Sequence, residues 1–77
     1  MTDPLIDLFA DVLEVEPGDL SDASSPENTP AWTSLAAMRL VSAIEDTYEV
    51  ELTTREIMTM QSVGDARDVL RSKGIDA

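Results

Sequence analysis

Ser34 is the side chain best placed to do chemistry in this chain. It follows a long segment without regular periodicity and precedes an apolar run that is typical of a helix. The unpaired N–H groups and the dipole at the start of a helix stabilise an anionic oxygen or a phosphate. Ser34 is therefore a candidate for phosphorylation or for attachment of a phosphate-linked group. A serine before an apolar run is usually a simple N-cap, but Thr33 offers a second capping oxygen and would leave the Ser34 hydroxyl free.

The composition disfavours most other chemistry. The chain of 77 residues has no histidine and no cysteine, so the commonest general base, the commonest metal ligand and the thiol nucleophile are absent. The acidic segment 19–22 lacks the spacing and the glycine of a calcium loop. We therefore predict no catalytic residue, no metal site and no enzyme activity of its own.

The charge predicts the class of partner. Sixteen acidic residues against five basic ones give a net charge of −11, which repels nucleic-acid phosphates and anionic membranes and favours basic protein partners. No apolar run approaches the ~20 residues of a membrane span, and residues 1–4 lack the basic stretch of a secretory signal. We expect a cytoplasmic monomer with a single domain over residues 1–77.

Hydrophobic periodicity predicts an all-α bundle of three longer helices and one short helix. Asp3 is expected to cap the first helix, with Pro4 in its first turn, and Pro17 and Gly18 to stop it. Its predicted core face comprises Leu5, Leu8, Phe9, Val12 and Leu13. A long loop over residues 16–32 follows, and we expect Trp32 to pin it onto the core.

The second helix is predicted from about Ser34 to Tyr48. Its predicted core stripe comprises Ala37, Leu40, Val41, Ile44 and Tyr48. Leu35 and Met38 lie outside that stripe, close to Ser34. They either contact a partner or pack against the loop.

The segment 48–52 alternates apolar and polar residues, which favours a strand when taken alone. No second such run exists to pair with it, so we predict an extended connector. Thr53 and Glu56 form a T-x-x-E capping box that predicts a short third helix. Its apolar residues Ile57, Met58 and Met60 are expected to face the core.

The last helix is predicted from about Val63 to Lys73, with Ser62 and Asp65 as its start signal and Gly74 just beyond its end. The expected core residues are Val63, Ala66, Val69 and Leu70. Arg67, Arg71 and Lys73 gather toward the carboxyl end, where the helix dipole favours positive charge.

Residues 32–48 resemble the acyl carrier protein signature, in which an Asp-Ser-Leu triplet begins the second helix and acidic residues with an aromatic residue end it. The following Glu-Val-Glu-Leu, Thr-Thr-Arg-Glu-Ile-Met and Ser-Val-Gly-Asp-Ala segments match that family in order and spacing. The resemblance runs from Leu5 to Ile75. It implies a 4′-phosphopantetheine arm transferred from coenzyme A to Ser34 by a phosphopantetheinyl transferase, with an acyl group held as a thioester on the arm. Such a carrier does no chemistry itself.

The chain departs from the family pattern near the serine. Thr33 stands where the family usually has Asp, and Ala36 and Arg39 occupy positions that are commonly acidic. Arg39 should penalise partners that present a basic patch there. We therefore predict a discrete carrier of polyketide or related secondary metabolism, specialised for its own pathway enzymes.

The resemblance also implies a partner surface for the transferase and for an acyl-loading enzyme or synthase with a basic docking patch. Its predicted members are Thr33, Leu35, Met38, Arg39, Glu45, Asp46 and Glu49. Two alternatives stay open. One is a peptidyl or aminoacyl carrier of a nonribosomal pathway, which usually has Gly-Gly where this chain has Ala31-Trp32. The other is an unmodified acidic helical adaptor.

Overall fold

The computed structural model describes residues 3–77, which form four α-helices. The helices are α1 (Pro4–Leu13), α2 (Ser34–Tyr48), α3 (Thr54–Thr59) and α4 (Val63–Ser72). No strand occurs within the described part of the chain, so the all-α prediction and the extended connector before α3 are confirmed. None of the helices over residues 3–77 is long and apolar enough to cross a membrane.

The core lies between α1, α2 and α4. Its fully buried large side chains are Leu5, Phe9, Leu40, Ile44, Val63 and Leu70. Asp3 caps α1 as predicted, because its Oδ1 accepts from the N–H groups of Leu5 at 3.2 Å and Ile6 at 3.4 Å. The helix ends earlier than predicted, at Leu13, because Glu14 adopts a left-handed conformation with φ 57°. Pro17 instead begins a short 3₁₀ turn, Pro17–Asp19.

The α1–α2 loop, residues 14–33, is anchored to the core by Trp32. This side chain is buried, and its ring meets Phe9 edge-on with the centroids 5.3 Å apart. Edge-to-face pairs of this kind stabilise a core beyond the area that they bury. The predicted anchoring role of Trp32 is confirmed.

The buried face of α2 differs from the predicted stripe. Ala36, Leu40 and Ile44 are buried, whereas Ala37 and Val41 are only partly buried. The stripe is rotated because α2 packs chiefly against α1, while its edge toward α3 borders a cavity. Ala36 is therefore a core residue, so a carboxylate at this position would have to be accommodated at the buried face of α2.

The capping box of α3 is present as predicted. The Thr53 side chain accepts from the Glu56 N–H at 3.1 Å, and Glu56 Oε1 accepts from the Thr53 N–H at 2.9 Å. The predicted burial of Met58 is wrong, since 69% of that residue is exposed, and Ile57 is 38% exposed. Of these three residues only Met60 packs against the core; it follows the last helical residue as the C-cap, where the chain leaves the helix.

The ends of α4 follow the predicted signals. Ser62 accepts from the Asp65 N–H at 3.0 Å. At the other end, Gly74 lies just beyond the helix with φ 85°, and the N–H of Ile75 bonds to the Leu70 carbonyl at 3.0 Å. This is the Schellman arrangement, which satisfies the last helical carbonyls. Lys73 is the C-cap rather than the last helical residue.

The sequence analysis placed Arg67 with the basic residues near the carboxyl end of α4, and this prediction is wrong. Its side chain is buried, and Nη2 lies 2.7 Å from Asp3 Oδ2 and 2.9 Å from Asp22 Oδ1. The hydrogen bond from Arg67 is the largest influence on the pKa of Asp3, which lies below its ordinary value of 3.8. Hydrogen bonds to both carboxylates raise the pKa of Arg67. No local sequence pattern indicates this bridge, because Asp3 and Asp22 are distant from Arg67 in the chain.

Candidate functional site

Ser34 is the first residue of α2 and is exposed. The preceding Thr33 is the N-cap, with extended backbone angles of φ −90° and ψ 175°, and its Oγ1 accepts from the Ala36 N–H at 3.2 Å. Thr33 therefore provides the cap, which is the second of the two alternatives that the sequence left open. The Ser34 hydroxyl is not needed for that purpose.

The start of α2 is suited to an anionic group. The Thr33 side-chain oxygen accepts from the Ala36 N–H at 3.2 Å. The Thr33 carbonyl accepts from the Ala37 N–H at 2.9 Å. The earlier N–H groups, those of Ser34 and Leu35, have no acceptor inside the helix by geometry. Together with the helix dipole, they can stabilise a phosphate on the Ser34 oxygen.

The residues before Ser34 fix its position. The N–H of Trp32 bonds to the Thr29 carbonyl at 2.9 Å, and the N–H of Thr33 bonds to the Ala31 carbonyl at 3.0 Å. Because Trp32 is also buried against Phe9, the chain reaches Ser34 from a fixed point on the core.

An apolar cavity of about 110 Å³ lies between α2 and α3. Trp32 lines it close in sequence to Ser34, and Met38 and Ile57 contribute from the two helices. We call it the α2–α3 cavity. The sequence did not predict it, because Val41 and Ile57 have the apolar character of ordinary core residues and only the packing distance between the helices leaves the space open.

Apolar side chains are exposed around this region. Leu35 is 59% exposed and Met38 is 70% exposed on α2, with Met58 on α3. Leu35 and Met38 thus lie outside the core, as the sequence indicated. Met58 belongs to the same class of exposed residue, although the sequence suggested a core position.

The charged candidates on α2 and just beyond it are distributed unevenly. Arg39, Asp46 and Glu49 are exposed. Glu45 is partly buried and has a structural contact, since its Oε2 accepts from the Leu52 N–H at 2.9 Å. No acidic residue occurs between Glu27 and Glu45, so the amino-terminal half of α2 lacks the negative charge found beyond it.

The sequence profile of a family described as phosphopantetheine attachment site matches residues 3–70. The chain belongs to this family. Its members are carrier domains with a covalently attached 4′-phosphopantetheine. Carrier domains interact in general with a phosphopantetheinyl transferase and with partner synthases. A search of curated proteins finds no significant match.

The residues of this carrier domain fit the group that the family attaches. Ser34 offers an exposed hydroxyl on a helix start that tolerates a phosphodiester, and the α2–α3 cavity offers apolar space nearby. The arm ends in a thiol, which the chain itself lacks because it has no cysteine. Within residues 3–77 no group of three or more acidic, histidine or cysteine side chains is arranged to hold a metal ion.

Proposed function

We propose that residues 1–77 act as a single acyl carrier domain, with 4′-phosphopantetheine attached to Ser34, in polyketide or related secondary-metabolite biosynthesis. The observation that supports this most directly is the exposed Ser34 at the start of α2, with Thr33 supplying the helix cap in its place. In the transfer, the Ser34 oxygen would bond to the phosphorus that carries the pantetheine arm, the diphosphate bond of coenzyme A would break with release of adenosine 3′,5′-bisphosphate, and the hydroxyl proton would be lost. The helix start would stabilise the phosphodiester charge that remains at Ser34.

The arm supplies the thiol on which an acyl group is held as a thioester. The chain's own residues anchor and present that arm, and the partner enzymes carry out the chemistry, so the domain needs no catalytic residue. Short apolar parts of the cargo fit the α2–α3 cavity, where each buried CH₂ contributes about 0.8 kcal/mol. We expect the domain to act as a cytoplasmic monomer.

The surface around Ser34 recognises the partner enzymes. Leu35 and Met38 supply apolar contacts, and Thr33 lies at the transferase docking point. Beyond them, Glu45, Asp46 and Glu49 steer partners that bear a basic patch. Arg39 disfavours enzymes that place a basic group against the amino-terminal half of α2.

The attachment is tested by incubating the unmodified protein with coenzyme A and a broad-specificity phosphopantetheinyl transferase, then measuring the intact mass. We expect one phosphopantetheine per chain, and none in Ser34→Ala. Ser42→Ala is the matched control, because Ser42 is an exposed serine in the middle of the same helix, and it should be modified like the native chain. No mass gain with several transferases would favour an unmodified acidic adaptor instead.

The pathway assignment is tested at Arg39. Arg39→Glu should raise the rate of exchange with general fatty-acid enzymes and lower the rate with the native pathway enzyme, because the substitution reverses the only charge between Glu27 and Glu45. Equal rates for both forms with both classes of enzyme would contradict a role of Arg39 in partner choice.

A further inference from the structure

The amino-terminal end of α4 is satisfied by the α1–α2 loop rather than by solvent. The first two N–H groups of the helix, those of Val63 and Gly64, donate to the carbonyls of Ser24 at 3.1 Å and Asp22 at 2.9 Å. The next N–H is taken by the Ser62 side chain at 3.0 Å. Helix starts usually leave such donors to caps or water, so the loop is attached to α4 at a defined register.

Gly64 permits this close approach. A Cβ atom at this position would lie 3.1 Å from the Asp22 carbonyl oxygen and 3.4 Å from the Asp22 Cβ. The 3.1 Å separation is tighter than ordinary van der Waals contact, so a side chain at position 64 requires the Asp22 carbonyl to give way by a few tenths of an ångström.

Arg67 attaches the same part of the loop by its side chain. Its Nε and Nη2 donate to Asp22 Oδ1 at 3.3 and 2.9 Å, and Nη2 also donates to Asp3 Oδ2 at 2.7 Å. Arg67 is 8% exposed, whereas the side chains of Asp3 and Asp22 are 42% and 59% exposed. The buried guanidinium thus connects the start of α1, through Asp3, and the loop, through Asp22, to α4.

Consecutive turns connect this attachment point to Ser34. Ser24 is buried and its Oγ accepts from the Ser21 N–H at 2.9 Å. Further along, Asn28 Nδ2 donates to the Ala23 carbonyl at 3.0 Å, and Asn28 Oδ1 accepts from the Ser25 N–H at 2.9 Å. The next turn is closed by the N–H of Trp32, which donates to the Thr29 carbonyl at 2.9 Å. Hydrogen-bonded turns therefore follow one another from Asp22 to the residues that precede Ser34.

We propose that Arg67 and Gly64 are positioning residues for Ser34: they fix the α1–α2 loop on α4 and thereby hold the modified serine in the geometry that its transferase requires. The kinetic part of this proposal depends on the proposed attachment at Ser34. The structural part does not, since Trp32 is the only tryptophan in the chain and reports the loop by its own fluorescence.

Arg67→Met separates positioning from folding. Methionine preserves the buried apolar stem, and the two carboxylates are exposed enough to be hydrated when the guanidinium is gone. Removing one partner of an ion pair destabilises a protein mainly when the charge left behind is buried, so the exposure of both carboxylates limits the loss of stability. Arg71→Met is the matched control, because it removes an exposed guanidinium from the last turn of α4, where its Nε donates to the Ala77 carbonyl at 3.3 Å, without touching the loop.

The first measurement is acrylamide quenching of Trp32, with far-UV circular dichroism melts to establish that each variant is folded. We expect stronger quenching in Arg67→Met than in the native chain and in Arg71→Met. Arg67→Lys should be intermediate, since an ammonium cannot reproduce the fork that reaches both carboxylates. Unchanged quenching in folded Arg67→Met would overturn the proposal.

The second measurement is kcat/KM for phosphopantetheine transfer by a broad-specificity transferase. Misplacement of a reacting group lowers reactivity steeply, so we expect a loss of roughly 3- to 10-fold in Arg67→Met and none in Arg71→Met. Equal values in both variants would refute the positioning role. A native chain that is never modified refutes the attachment at Ser34 instead, and the quenching result then still decides whether the loop is fixed by Arg67.

Gly64→Ala provides an independent variant if Arg67→Met does not fold. Alanine is a better helix former than glycine, so the helix itself is not weakened, while the new Cβ requires the Asp22 carbonyl to move by a few tenths of an ångström. We expect the same two changes, stronger quenching and slower transfer. If Gly64→Ala leaves both unchanged, the attachment of the loop does not position Ser34.

Discussion

Two adjacent hydroxyl residues have separate tasks at the start of α2. Thr33 has the extended backbone of an N-cap and bonds to the Ala36 N–H, whereas Ser34 already has helical geometry as the first residue of the helix. A side chain at that first position cannot replace the cap, because capping needs the non-helical angles of the preceding residue. The division leaves the Ser34 oxygen available without a loss of helix stability.

Thr33→Ala should therefore lower the free energy of unfolding by about 1 kcal/mol. Thr33→Asp should retain the stability, since a carboxylate caps as well and also favours the positive end of the dipole. Urea denaturation followed by circular dichroism measures both. Thr47→Ala is the control: Thr47 is exposed in the last turn of α2, and alanine there should be neutral or slightly stabilising. A loss in Thr47→Ala as large as in Thr33→Ala would contradict the capping role.

At the scale of the elements, the helices begin and end at side-chain and backbone caps that are specified locally. The capping box of α3 and the Schellman arrangement after α4 are examples. An ion pair connects these two helix ends, since Lys73 Nζ bonds to Glu56 Oε1 at 2.9 Å. This ion pair joins a helix of only six residues to the bundle. The position of α3, and with it one wall of the α2–α3 cavity, thus depends on contacts made at helix ends.

Gly74→Ala tests the end of α4. The residue has φ 85°, a conformation that costs an L-residue about 1 kcal/mol, so the midpoint of thermal unfolding should fall by several degrees. Gly18→Ala is the matched control, since no atom lies within 4 Å of its added Cβ and its φ is not positive. Equal melting temperatures for Gly74→Ala and the native chain would show that the turn does not need glycine.

At the scale of the whole molecule, repulsion among the acidic side chains opposes folding, and ion pairs offset part of this repulsion. The chain has a net charge of −11, and self-repulsion of this kind destabilises a compact state. Arg67 offsets part of it by pairing with carboxylates from two segments that are distant in sequence. The fold is therefore expected to respond to pH through these carboxylates.

Acidification below the isoelectric point of about 4.1, where the negative self-repulsion has already been neutralised, should destabilise the protein. The pKa of Asp3 is lowered chiefly by the Arg67 hydrogen bond, and the pKa of Glu56 is lowered by the Thr53 N–H and by Lys73. A folded-state pKa below the unfolded value contributes stability above the unfolded value, and that contribution is lost as pH falls through the folded one. Urea midpoints should thus decline below about pH 4, and less in Asp3→Asn, which still caps α1. Asp11→Asn, exposed on the same helix, should decline like the native chain; an equal decline in all three would exclude Asp3 as a cause.

The α2–α3 cavity should make stability depend on the cargo. Loading the proposed arm with butyryl and then hexanoyl groups should raise the melting temperature, because each CH₂ placed in the apolar cavity contributes about 0.8 kcal/mol. A hydroxylated acyl group of the same length should raise it less, since burying a hydroxyl without a partner is unfavourable. Ala37→Leu narrows the cavity and should abolish the difference between cargoes. Identical melting temperatures for all loaded forms would show that the cargo stays outside.

The sequence determined most of the helices because their signals are local. Asp3, the T-x-x-E box, Ser62 and Gly74 act within a few residues of themselves, so the starts of α1, α3 and α4 and the end of α4 followed from neighbouring residue types. At the start of α2 the sequence left two capping oxygens open, and only the structure assigned the cap to Thr33. The assignment of these residues to a carrier site came from the order of the motifs, and the family match over residues 3–70 supports that order.

Only the tertiary structure decided which faces are buried and which charges meet. The buried face of α2 was mispredicted at Ala36, and Met58 was placed in the core, because periodicity gives a stripe but not the distance and rotation of the neighbouring helix. The bridge of Arg67 to Asp3 and Asp22 joins residues that are far apart in sequence, so no local pattern could indicate it. Local signals end within about one helical turn, whereas packing and ion pairing depend on how the elements are arranged in space.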